Sequence, residues 1–130
     1  MKRILFTLAA ALIVFTAAPA HACKCAPDTT GARAQQILND PSISVARVYV
    51  RGMNVRNGQS MLELRETLSG GLMARNFRAK FGGSSCGFIP SNRTEQIVLV
   101  KFEKDGTYSL IGDCARTDVL EYMKTNKLGQ

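Results

Sequence analysis

Ile43-Ser44-Val45-Ala46-Arg47-Val48-Tyr49-Val50 alternates with a period of two. Ile43, Val45, Arg47 and Tyr49 share one face of an extended chain, and Ser44, Ala46, Val48 and Val50 share the other. The stretch predicts a strand with one strongly apolar side, and the rest of the chain is read outward from it.

Toward the C-terminus the same period recurs. Asn57-Gly58 predicts a tight primed hairpin turn, which needs positive φ at both central residues. The returning strand sets Leu62, Leu64 and Leu68 on one face and Glu63, Arg65 and Thr67 on the other. After Gly70-Gly71, a third alternating run groups Met73, Arg75, Phe77, Ala79 and Phe81, with Arg78 and Lys80 facing away. Gly82-Gly83-Ser84-Ser85 reads as a flexible loop into Cys86-Gly87. A second hairpin runs from Glu95 to Glu103, turns at Asp105-Gly106 and returns from Thr107 to Ile111. Asp118 with Glu121 has the spacing of a capping pair for a last helix that buries Val119, Leu120 and Met123.

Toward the N-terminus, Asp28 and Thr29 are expected to cap a short helix through Ala32, Ala34, Gln35, Ile37 and Leu38, which Pro41 stops. The fold class expected is mainly β: five short antiparallel strands in a small Greek-key barrel, with a short N-terminal helix and a C-terminal helix.

Lys2 and Arg3 begin a leader, Ile4 to Ala17 is its apolar run, and Ala20 and Ala22 are the small residues that a signal peptidase reads. Residues 1–22 are thus expected to be a secretion signal and residues 23–130 one exported domain, secreted or periplasmic. The apolar run is shorter than the roughly 20 residues of a spanning helix, so no transmembrane segment is expected in the mature chain. A rival cut after Ala20 leaves His21 and Ala22 in front. Another reading anchors the protein by a lipid on Cys23. It leaves an odd number of cysteines, and such a leader usually has Leu where Ala20 stands.

Seventeen Lys and Arg stand against ten Asp and Glu, a net charge of +7. Losing Lys2 and Arg3 with the leader brings it to +5. The leader also carries the only histidine, His21, and there is no tryptophan. Triads of the Ser-His-Asp or Cys-His kind, and catalytic zinc sites of the usual histidine type, are left without their imidazole. Glu63, Glu66 and Glu95 have no spacing that suggests acid–base work, and their plain reading is surface solvation. No enzymatic activity and no cofactor are expected. Met53, Met61, Met73 and Met123 are scattered and read as core fillers rather than copper ligands. Asn92-Arg93-Thr94 is a glycosylation sequon, which matters only in a host that glycosylates exported chains.

The domain retains Cys23, Cys25, Cys86 and Cys114. In an exported chain an even number reads first as disulfides. Cys23 and Cys25 are too close for an easy bridge to each other, so each is expected to reach a distant partner. Closing such a loop is worth about 4 kcal/mol in the chain-entropy model. A four-cysteine metal cluster lacks the paired CxxC knuckles of a zinc ribbon, and a CxC redox pair lacks both the CxxC and the βαβ pattern around it.

The order CxC, alternating strand, Cys86-Gly87, strand Glu95 to Lys101, Asp105-Gly106, Cys114 resembles the netrin-like domain of the tissue inhibitors of metalloproteinases. The resemblance covers nearly all of residues 23–130. It implies an oligonucleotide/oligosaccharide-binding-type barrel with two disulfides, Cys23 to Cys86 and Cys25 to Cys114. It also implies a mechanism, in which the α-amine and carbonyl of Cys23 chelate the zinc of a target metalloprotease. An α-amine with an unperturbed pKa near ~7.7 readily offers its neutral form. Lys24 would enter the pocket beside that zinc, and Cys25, Asn57 and the Ser84–Ser85–Cys86–Gly87 loop would flank it as an inhibitory edge. The sequence departs from the family in lacking its third bridge and its second, cysteine-rich domain. Lys24 also stands where the inhibitors have a small polar residue, at a desolvation cost in an apolar pocket.

Two partner classes follow for an exported monomer. One is a zinc metalloprotease or another exported protein, met by the N-terminal edge. The alternative is an anionic envelope surface met by a basic barrel face, for which Arg47, Arg51, Arg56, Arg65, Arg75, Arg78 and Lys80 are concentrated in the middle strands. The plain reading of those charges is a solvated face. Nucleic acid is not an expected partner of an exported protein.

Overall fold

The computed structural model describes residues 25–82 and 87–129. Among these, two helices and five strands follow in the order α1 (Ala32–Leu38), β1 (Ile43–Asn54), β2 (Gln59–Ser69), β3 (Asn76–Lys80), β4 (Glu95–Phe102), β5 (Tyr108–Leu110) and α2 (Asp113–Thr125). The strands form a closed barrel, β1-β2-β3-β5-β4, in which β4 returns to β1. The expectation of antiparallel strands holds for four of the five pairings. β3 and β5 run parallel, with Ala79 opposite Tyr108 and Lys80 opposite Ser109.

The length of β1 lets it close the barrel. Residues Ile43 to Tyr49 pair with β4, and residues Val45 to Asn54 pair with β2. The β1–β2 register slips three times, leaving Arg51 extra on β1 and Arg65 and Leu68 extra on β2. Each bulge bends and twists the strand that carries it, which curls a flat hairpin into a closed wall. Each also inverts the side-chain parity. Leu62 and Leu64 therefore belong to the barrel interior, whereas Leu68 packs on the helix side, correcting the expectation that all three share a face.

Two cores result. Ala46, Val48, Val50, Leu62, Phe77, Ala79, Val98, Val100 and Leu110 fill the barrel. Ile43, Val45 and Leu99 point outward and are covered by Ala34 of α1 and by Val119 and Met123 of α2. The first half of β1 is thus buried on both faces rather than on one.

The turns differ from expectation at one hairpin. Asn54 pairs with Gln59, so residues 55–58 form a four-residue loop, and of Asn57 and Gly58 only Gly58 has positive φ, +61°. The second hairpin turns over Glu103 to Gly106, with the Gly106 N–H donating to the Glu103 carbonyl (3.0 Å) and Gly106 at φ +85°. The third alternating run is strand only over β3. Phe77 and Ala79 are buried, Phe81 is partly buried, and Met73 and Arg75 lie before the strand in the open. Gly70 sits at φ +90° against Ser44, where a Cβ would come within 2.5 Å of the Ser44 hydroxyl. That hydroxyl accepts from the Leu72 N–H (3.1 Å) and fixes the chain as it leaves β2.

Asp28 caps α1 from a distance, its carboxylate accepting from the Ala34 N–H (3.1 Å) and the Arg33 N–H (3.4 Å), while Thr30 rather than Thr29 supplies the second oxygen. α2 starts at Asp113, earlier than the Asp118–Glu121 pair suggests. Asp118 is instead inside the helix and pairs with Arg33 (3.2 Å). Val119 and Met123 are buried as expected, and Leu120 is partly buried against them. Cys25 is bridged to Cys114 in the first turn of α2, with Cα atoms 5.3 Å apart. The Cys23–Cys86 bridge implied by the resemblance lies outside the described residues. No described helix is long and apolar enough to cross a membrane.

Candidate functional site

Cys25, Ala26 and Asp28 are each fastened to the body of the protein. Cys25 is bonded to Cys114, the Ala26 carbonyl accepts from the Arg33 guanidinium, and Asp28 caps α1. Arg33 then reaches Asp118 of α2, so one side chain ties the N-terminal strap to both helices. Such a strap has little conformational freedom left to lose when a partner docks on it.

The same turn of α2 holds one end of the Cys86 loop. The Arg116 guanidinium lies over the Phe88 ring at 4.4 Å, and its Nε donates to the Ile97 carbonyl (2.7 Å). Burial here pushes the guanidinium pKa below its ordinary value, while Asp113 offsets part of that cost. Gly87 precedes Phe88 and is half-buried. The other side of that loop is held by the β1–β2 hairpin, where the Phe81 N–H donates to the Gly58 carbonyl (2.8 Å). Asn57 is exposed on this hairpin. Two aliphatic side chains stand out nearby, Val55 at 74% and Ile89 at 60% exposed, and Ile89 borders Gly82.

Of the expected edge, Cys25, Asn57 and Gly87 are described, and the hairpin and the first turn of α2 flank the two described ends of the loop between Gly82 and Gly87. Cys23, Lys24, Ser84, Ser85 and Cys86 lie outside the described residues. Arg33, Arg116 and Phe88 were not legible as site residues, because nothing in their spacing announces contacts between elements so far apart in sequence.

The expected basic face is neutralised in part, at Arg47, Arg51 and Arg65. Arg47 pairs with Glu66 and, at 3.6 Å, with Glu95. Glu63 lies between Arg51 (2.9 Å) and Arg65 (3.5 Å), and Arg65 also sits 5.4 Å from the centre of the Tyr49 ring. Glu63, Glu66 and Glu95 are therefore cross-strand partners rather than merely solvated carboxylates. Among the described residues Arg56, Arg75, Arg78 and Lys80 form no ion pair.

The methionines divide. Met123 is buried and Met53 packs against the barrel core, but Met61 is 50% and Met73 88% exposed, so these two are not core fillers. No group of three or more metal-ligating side chains occurs among the described residues. Asn92 is exposed, in the turn that Thr94 closes by donating its hydroxyl to the Ser91 carbonyl (2.7 Å).

No protein-family model matches this chain, and no curated protein matches it in sequence.

Proposed function

We propose that residues 23–130 are an exported, netrin-like protein-binding domain of the oligonucleotide/oligosaccharide-binding type, acting through its N-terminal edge as an inhibitor of a zinc metalloprotease. The observation that carries this reading is the Cys25–Cys114 bridge, which fastens the strap following Cys23 to the first turn of α2. The strand order β1-β2-β3-β5-β4 supports the barrel type, and the Arg33 and Arg116 contacts supply the rigidity that such an edge needs.

In this reading the Cys23 amine and carbonyl occupy two positions on the protease zinc, displacing the water that would attack the substrate. Lys24 enters the adjoining pocket, so the protease favoured is one whose pocket carries an acidic group. Val55 and Ile89, exposed beside the edge, supply apolar contact area around the charged centre.

The test compares the protein bearing a free Cys23 terminus, verified by intact mass and N-terminal sequencing, with one carrying a single extra residue before Cys23. Both are assayed against a panel of zinc metalloproteases. Inhibition by the first at least about a hundredfold stronger than by the second is expected. Equal inhibition by both, or none by either, sinks the chelation mechanism.

A further inference from the structure

Met73 and Phe102 are large apolar side chains that stand out of the surface, 88% and 52% exposed. They border one shallow cleft of about 270 Å³, together with Pro41, Leu72 and Tyr108. Phe102 is not loosely held. Its ring packs on Tyr108 at 5.3 Å and Tyr108 packs on Phe77 at 5.1 Å, a ladder that runs from the barrel interior to the surface.

Cations flank this ridge on both sides. Met73 also borders a groove containing Arg75, and Phe102 also borders one containing Lys80, Lys101 and Lys104. Lys80 of β3 and Lys101 of β4 are the register partners of Ser109 on β5, so they lie on one face with only a small hydroxyl residue between them. Glu103 and Asp105 border the same groove as the lysines, and each nearby carboxylate accepts hydrogen bonds from a serine or threonine. Asp40 accepts from the Ser42 N–H and hydroxyl, Asp105 from the Thr107 N–H and hydroxyl, and Glu103 from the Ser109 hydroxyl. None of Arg75, Lys80, Lys101 and Lys104 is within ion-pair distance of a carboxylate among the described residues.

We propose that the Met73–Phe102 ridge, with Arg75 on one side and Lys80, Lys101 and Lys104 on the other, is a docking surface for a bilayer bearing anionic phosphate headgroups. A soluble anion would be met by the lysine groove alone, whereas the protruding Met73 and Phe102 and the arginine beyond them extend the surface past it. A peptide side chain would be enclosed by its pocket, whereas this cleft is shallow and Met73 protrudes from its border. Protruding apolar groups between unpaired cations fit a fluid apolar phase beneath a layer of negative charge. This surface is distinct from the Cys23 edge, and neither reading depends on the other.

The chain has no tryptophan, so Phe102→Trp creates a single reporter. With vesicles of phosphatidylglycerol and phosphatidylcholine carrying brominated acyl chains, its fluorescence is expected to shift to the blue and be quenched. With phosphatidylcholine alone it should not change. In co-sedimentation, Met73→Ser with Phe102→Ser should weaken binding about tenfold or more, and raised salt or Lys80→Glu with Lys101→Glu should abolish it. Arg47→Gln, at an ion-paired residue outside the surface, should bind as the parent does. All variants share one N-terminus, so differences among them report this surface. Thermal melts establish that each is folded, and the tryptophan variant keeps an aromatic ring should the serine pair fail to fold. An unquenched reporter, equal binding to neutral vesicles, or full competition by glycerol phosphate or an acidic peptide would overturn the proposal.

Discussion

The two cores of this protein meet at β1 and β4 but are closed by different means. The barrel interior is enclosed by a continuous ring of backbone hydrogen bonds, so its wall has no free edge. The helix-side core is roofed by α1 and α2, held by side-chain packing, the Arg33–Asp118 pair and the Cys25–Cys114 bridge. A core closed by backbone pairing is insensitive to its chain ends, whereas one roofed by terminal helices depends on them. The candidate edge lies on the second kind.

The bridge should produce the largest difference. It spans a sequence separation of 89 residues, for which the chain-entropy model gives about 4–5 kcal/mol. Cys25→Ser with Cys114→Ser is expected to cost that much in denaturant unfolding. Hydrogen exchange should rise in α1 and α2 well before it rises in β1 and β4, and a uniform rise would mean that the two cores are one cooperative unit.

Val98 and Leu99 are adjacent on β4 and fully buried on opposite faces. Leu99→Ala should cost about 3 kcal/mol and Val98→Ala about 2.5 kcal/mol, although valine loses fewer carbons. The barrel cannot collapse around a void, whereas helices can settle into one. Denaturant midpoints measure both values, and a cost per carbon that is higher at Leu99 would reverse the comparison.

The smallest effect is acid sensitivity. Asp40 leads into β1 beside the helix side, and Asp105 lies in the β4–β5 hairpin. Hydrogen bonds from Ser42 and Thr107 respectively hold their carboxyls below the ordinary 3.8, with Lys101 and Lys80 adding to the effect. A carboxyl depressed in the folded state contributes stability that is present above its unfolded pKa and is lost as pH falls through the folded one. Melting temperature should therefore fall more shallowly below about pH 4 in Asp40→Asn and Asp105→Asn than in the parent. Matching acid profiles in parent and variants would remove these two groups from the acid transition.

Much of this was legible in the sequence. Alternation placed all five strands, Asp105-Gly106 marked its hairpin, and the cysteine pair 25–114 followed from the family resemblance. The misreadings share a cause, because period-two patterns assume an unbroken register. The extra residues Arg65 and Leu68 shift that register with no compositional mark, and so moved Leu68 to the other core. Strand pairing brings Glu66 and Glu95 to Arg47 and Glu63 to Arg51, and Glu63 also lies two residues before Arg65 on β2, so the ion pairs of these three arginines had no single spacing to mark them. The outer burial of Ile43 and Val45 was hidden for a similar reason, since a strand pattern carries no sign of the helices that will cover it. The early start of α2 followed from Gly112 and Asp113, which the stronger-looking Asp118–Glu121 pair obscured.

The pairing of residue 43 with residue 101, and of residue 79 with residue 108, sets the order in which the chain can assemble. The β1–β2 hairpin can form as soon as its own residues exist, but β1 has no second neighbour until β4 arrives, and the wall stays open until β5 slides in between β3 and β4. Contacts so distant along the chain make for slow folding. Until β4 arrives, Val45 and Val48 lie along a strand with one unpaired edge, and Cys25 waits for a partner that is made almost last. A growing chain of this protein is thus most exposed to aggregation and to wrong thiol pairing at the moment when it is nearly complete.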